Sequence, residues 1–107
     1  MPYIFVNGWY PTHLVKEVTD TYIEVLKQMP FDKSLGKETI PVAVSSGKSG
    51  IRFESVMEVK EGKLEEALGW VNKRMVPFQS IEGLEYKIRL WSTIIEGLEN
   101  IGMSLPA

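Results

Sequence analysis

Hydrophobic and polar positions along the chain switch between two periods. The opening run Tyr3-Ile4-Phe5-Val6-Asn7-Gly8-Trp9-Tyr10 is aromatic and β-branched and is followed by Pro11, which predicts a first strand. Pro11-Thr12 then forms a helix start signal with Thr12 as N-cap. Leu14, Val18, Tyr22, Val25 or Leu26, and Met29 recur at steps of three and four, so an amphipathic helix is expected over 13–29, ended by Pro30. Phe31 to Glu38 mixes charge, Ser and Gly and predicts a loop. Ile40, Val42 and Val44 alternate in a second strand, where Pro41 lacks a ladder donor and points to a sheet edge. Ser45-Ser46-Gly47-Lys48-Ser49-Gly50 predicts a hairpin turn.

The clearest strand follows, with Ile51, Phe53, Ser55, Met57 and Val59 alternating with Arg52, Glu54, Val56 and Glu58. Glu61-Gly62 breaks it, and Leu64, Ala67, Leu68, Val71 and Met75 mark a second helix that stops near Pro77. Leu84, Tyr86, Ile88 and Leu90 then alternate with Glu85, Lys87, Arg89 and Trp91 in a fourth strand. Ile94, Ile95, Leu98 and Ile101 predict a short docked C-terminal helix, weakened by Gly97 and Gly102. The order strand, helix, strand, strand, helix, strand is an α+β, ferredoxin-like βαββαβ sandwich. Right-handed crossovers place both helices on one face of a four-stranded antiparallel sheet, with the first and third strands central.

That arrangement leaves one sheet face bare, and alternation decides what it carries. With Ile51, Phe53, Met57 and Val59 under the helices, Arg52, Glu54 and Glu58 point to the bare side. Tyr3, Phe5, Asn7 and Trp9 join them from the first strand, and Lys87, Arg89 and Trp91 from the fourth. A surface so aromatic and so charged calls for a cover, and a second copy of the chain is the simplest one. In element order and in this mixed face, residues 3 to 91 resemble the dimeric α/β-barrel superfamily, small chains that pair sheet against sheet and often enclose a ligand pocket. The resemblance implies a homodimer with a polar, aromatic-lined pocket for a small organic molecule. It transfers no reaction, because members include monooxygenases, dismutase-like and isomerase-like enzymes.

Within such a pocket Arg52 and Arg89 suit a carboxylate or phosphate, Glu54 suits a cation or a base's role, and Asn7, Trp9 and Trp91 suit a flat ligand. The plainer reading makes Arg52, Glu54, Glu58, Lys87 and Arg89 cross-strand ion pairs at a wet interface, in a non-catalytic assembly module. His13, the one histidine, lies with Glu17, Asp20 and Glu24 at helical steps and is a candidate acid or base at the pocket rim. Acids near a helix start also favour its dipole, so a solvated face explains the same residues, and no metal site is expected.

Composition narrows the rest. The 107 residues fit one domain over 1–107, and 44% apolar with 24% charged residues is a globular balance. Without cysteine there is no disulfide, thiolate metal site or thiol nucleophile, and a lone histidine without a Gly-x-Ser-x-Gly elbow gives nucleophilic catalysis little footing. No basic leader or apolar span precedes the first strand, so a cytoplasmic protein without membrane partner is expected. Twelve Glu against two Asp, with three Asn and two Gln, leans toward heat-adapted chains. Net charge of −2 and a pI near 5.4 speak against nucleic acid. An RNA-recognition domain shares the element order, and Ile4-Phe5-Val6-Asn7-Gly8 resembles its first-strand motif. Turning Phe53 to the open face as that domain requires would bury Arg52, Glu54 and Glu58 under the helices. Gly47-Lys48-Ser49 resembles the end of a phosphate loop, but Val42 stands where its glycine belongs and a strand follows. No cofactor is implied.

Overall fold

The computed structural model describes residues 1–106. Its elements are β1 (Tyr3–Tyr10), α1 (Val15–Gln28), β2 (Gly36–Gly47), β3 (Gly50–Val59), α2 (Leu64–Met75), β4 (Glu85–Trp91) and α3 (Ile94–Asn100). The four strands form one antiparallel sheet in the order β2-β3-β1-β4, with β1 and β3 central and β2 at an edge, as the pattern predicts. The class is α+β, a four-stranded antiparallel sheet with three helices.

Alternation sets the covered face. Ile4, Val6, Met57 and Val59 are buried with Ala67 and Val71 of α2, and Tyr10 is buried with Val18 and Val25 of α1. Ile4, Val6 and Tyr10 share one side of β1, so both helices lie on the same side of the sheet. Removing each such aliphatic side chain from water contributes roughly 1.5–3 kcal/mol. Gly8 belongs to this side too. A Cβ there would stand 2.7 Å from Phe53 Cζ and 2.8 Å from the Tyr86 Cα, so the missing side chain is what lets the Phe53 ring cross β1.

Several local expectations need correction. Thr12 makes no side-chain cap; residues Thr12–Leu14 form a 3-10 turn and Leu14 occupies the N-cap of α1. Of Val25 and Leu26, Val25 is the buried one. β2 starts at Gly36, inside the predicted loop, and its alternation is broken by two irregularities flanking Ile40, the second spanning Pro41. The hairpin turn shrinks to Lys48-Ser49, because Gly47 already pairs with Gly50, whose φ of +117° a side chain would resist. Past α2 the chain makes another 3-10 turn, Val76–Ser80, with Pro77 early in it.

The C-terminal helix exists but is not docked. Thr93 and Glu96 form a capping box that starts α3. Yet Ile94, Ile95, Ile101, Met103 and Leu105 are all more than half exposed, and among the described residues α3 packs extensively against no other element, although Glu96 accepts from the Met1 ammonium at 2.7 Å. The molecule measures 49 × 32 × 19 Å with a radius of gyration of 15.7 Å, against about 13 Å for a compact chain of ~100 residues. It is a slab of two layers with one broad side bare. No helix among the described residues is long and apolar enough to cross a membrane.

Candidate binding face and interior cavity

Strand pairing turns the bare side into four cross-strand rows, since directly paired residues share a face. From β2 to β4 they are Lys37–Glu58–Tyr3–Trp91, Ile40–Val56–Phe5–Arg89, Ala43–Glu54–Asn7–Lys87 and Ser45–Arg52–Trp9–Glu85. Arg52, Glu54, Lys87, Arg89 and Trp91 are exposed, and none lies beneath a helix. Phe5 meets Trp91 edge-on at 6.1 Å and Tyr3 at 6.5 Å, an aromatic strip along the Trp91 end. Among the described residues, no ion pair links any of the charges in these rows.

The rows bring together some of the predicted site residues and separate others. Arg52 and Trp9 are direct neighbours, and Asn7 lies between Glu54 and Lys87. Arg89 stands two strands and two rows from Arg52, about 17 Å at ordinary strand spacing and rise, so the two guanidinium groups do not grip one carboxylate within a single chain. Trp91 sits at the opposite end of the face from Trp9. Trp9 and Arg52 instead border an open depression of about 470 Å³ with Ser45, Lys48 and Ser49 of the β2–β3 hairpin. Its lining holds two cations, several hydroxyls and no acid.

His13 lies exposed in the 3-10 turn beyond β1. Two of the three carboxylates predicted to share its face are engaged along the helix itself: Lys16 Nζ donates to Asp20 at 2.7 Å and Gln28 Nε2 donates to Glu24 at 2.9 Å. Among the described residues no group of three or more acids and histidines is placed to hold a metal. Trp70 of α2 meets Phe31 edge-on at 5.4 Å.

A second concavity lies on the covered side, between the sheet and the helices, and was not anticipated. It is about as open to solvent as the sheet-face depression, holds about 180 Å³ and is lined mainly by apolar side chains, among them Tyr22, Phe53, Trp70 and Phe78. Arg74 of α2 is its one cation. The Arg74 side chain is only 16% exposed, its guanidinium carbon lies 4.8 Å from the centre of the Trp70 ring, and Nη1 is 3.9 Å from Glu38 Oε2. That last separation is a charge contact beyond hydrogen-bond reach. Nε and Nη2 are buried without a hydrogen-bond partner among the described residues. Burial pulls the Arg74 pKa down, partly countered by Glu38 and Tyr22, while burial pushes the Tyr22 phenol up. A signal for Arg74 exists in the sequence: it lies three residues past Val71 and seven past Ala67, a charge on the apolar stripe of α2.

No protein-family model and no curated protein matches the chain. Among solved structures, the chain is similar to a formyltetrahydrofolate deformylase from Pseudomonas putida KT2440 at 8% identity and a TM-score of 0.47. The match covers 83% of this chain and 28% of that one, so the chain spans little more than a quarter of that protein. A likeness this slight carries no argument.

Proposed function

We propose that the chain is a ferredoxin-like binding domain that works as a cytoplasmic homodimer, sheet face against sheet face, and encloses a small organic anion at that interface. The observation that carries this reading is the set of four rows, in which aromatic, apolar and unpaired charged groups share a bare face. Their order is self-complementary. A two-fold axis parallel to the strands lays β3 of one copy over β1 of the other and keeps each row opposite itself. Arg52 then meets the partner's Trp9, Glu54 the partner's Asn7, Val56 the partner's Phe5, and Glu58 the partner's Tyr3. These are cation–π, hydrogen-bonding, apolar and hydrogen-bonding pairs in turn. An axis across the strands would set Arg89 against the partner's Lys87 twice, and like charges in contact cost several kcal/mol, so the parallel axis is favoured.

The same axis brings the two Trp9–Arg52 depressions together at one end. Lys48 and Arg52 from each copy then surround a polar pocket whose charge suits a carboxylate or a phosphate. It also sets the β4 edge, and α3 beyond it, beside the partner's β2, where Ile40, Val42 and Val44 are exposed.

Cysteine is absent from the chain, so single engineered thiols report contacts cleanly. Mixed Asn7→Cys and Glu54→Cys proteins should join through a short bis-maleimide, whereas Lys87→Cys mixed with Arg89→Cys should not. The opposite outcome replaces the axis, and no cross-linking in either mixture removes sheet-to-sheet pairing. Native mass spectrometry of the purified pair should show a retained anion that Arg52→Ala loses without splitting the pair. A pair carrying nothing would leave an assembly module alone.

A further inference from the structure

We infer that in the sheet-to-sheet pair proposed above, and resting on that reading, α3 and the residues to Leu105 dock on the second copy, along its edge strand β2. Thr93 and Glu96 close a capping box, so the sequence commits this segment to a helix. Seven residues are too few to hold a helix in water, and one this short draws its stability from an apolar face packed on something. Ile94, Ile95 and Ile101 supply that face, continued by Met103 and Leu105, and all five are more than half exposed in the single chain.

A surface of matching chemistry lies on β2. Ile40, Val42 and Val44 are 39%, 38% and 66% exposed there, and all three border the open concavity on the helix side. Within one chain the two surfaces are kept apart. α3 follows β4, and β4 and β2 are opposite edges of the sheet, three strand spacings or about 14 Å from each other. In the face-to-face pair β4 lies over the partner's β2, one sheet spacing or about 10 Å away. Charge agrees with that placement. With each row opposite itself, Trp91 meets the partner's Lys37, a cation that has no ion pair within its own chain among the described residues. α3, just beyond Trp91, carries Glu96 and Glu99 and no cation. Exchange of the two segments covers both β2 edges, which otherwise stay open to pairing with further chains.

Ile40 and Ile95 are both exposed, so cysteines there disturb the fold little. Ile40→Cys protein mixed with Ile95→Cys protein should give a species of twice the chain mass through a short bis-maleimide. Neither variant should link alone, because the two-fold axis holds equal positions of β2, and of α3, at opposite edges. In the chain without cysteine, amides of 97–101 should exchange at least about tenfold more slowly when paired than in diluted Trp9→Ala protein. The Asn7→Cys and Glu54→Cys mixture is the control for the pair itself. Linking there, but not between Ile40→Cys and Ile95→Cys, would overturn the exchange and leave the sheet pairing standing; linking in neither mixture would remove both. A chain carrying both Ile40→Cys and Ile95→Cys that links within itself would put α3 on its own subunit and overturn the inference. Equal exchange of α3 amides in paired and single chains would do the same.

Discussion

The two faces of one sheet obey the same alternation and meet opposite fates. On the helix side Ile4, Val6, Met57 and Val59 are sealed with residues of α2, and Tyr10 with residues of α1, within one chain. On the other, Phe5, Trp9 and Trp91 share the surface with Arg52, Glu54 and Arg89, and no helix among the described residues lies over them. A period of two places side chains without regard to what will cover them; the crossover connections decide which side the chain covers itself. The bare side keeps aromatic surface that would gain from a cover, beside charged groups that water solvates without one. Hence the covered face should govern folding, and the open face should govern association.

The largest effect expected from this contrast is at Ile4. Ile4→Ala leaves a cavity under α2 and should cost about 2–5 kcal/mol in urea unfolding. A cost near zero would mean the covered face is not the folding core. Next comes Trp9 on the opposite side, where Trp9→Ala should leave the stability of the single chain within about 0.5 kcal/mol but weaken pairing by about 2 kcal/mol in dilution experiments. Equal losses in both readouts would erase the division between the faces. Arg74→Met should stabilise the unliganded protein by about 1 kcal/mol, since it replaces an incompletely paired buried charge with an apolar chain. A large loss instead would make the Glu38 and Trp70 contacts structural. Smallest is Thr93→Ala. It removes a cap worth about 1 kcal/mol to α3, yet α3 packs on little, so global unfolding should hardly move and amide exchange should rise only within that helix.

Much of this architecture was legible because each strand alternates cleanly. β1, β3 and β4 fall within a residue of the pattern, and the outward direction of Arg52, Glu54, Lys87 and Arg89 follows from parity alone. β2 was less legible. Its irregular pairing around Ile40 and Pro41 interrupts the period, and its first residues were hidden among the charges of Lys37 and Glu38. The docking of α3 was misjudged for a different reason: helical spacing of Ile94, Ile95, Leu98 and Ile101 states that a face is apolar, not which surface receives it.

The candidate sites divide in the same way. Register, which local patterning does not give, separates Arg89 and Trp91 from Arg52 and Trp9 although all four share one face. The concavity on the helix side is not legible in the sequence because it joins distant segments: Arg74 comes from α2, Glu38 from the edge strand and Tyr22 from α1. Only the position of Arg74 on an apolar stripe hinted at it.

Sedimentation equilibrium of the intact chain across a dilution series tests the central claim most directly. Pairing through the bare face predicts a species of twice the 12.2 kDa chain mass, shifting toward the single-chain mass in Trp9→Ala. A mass of 12.2 kDa at every concentration would contradict it.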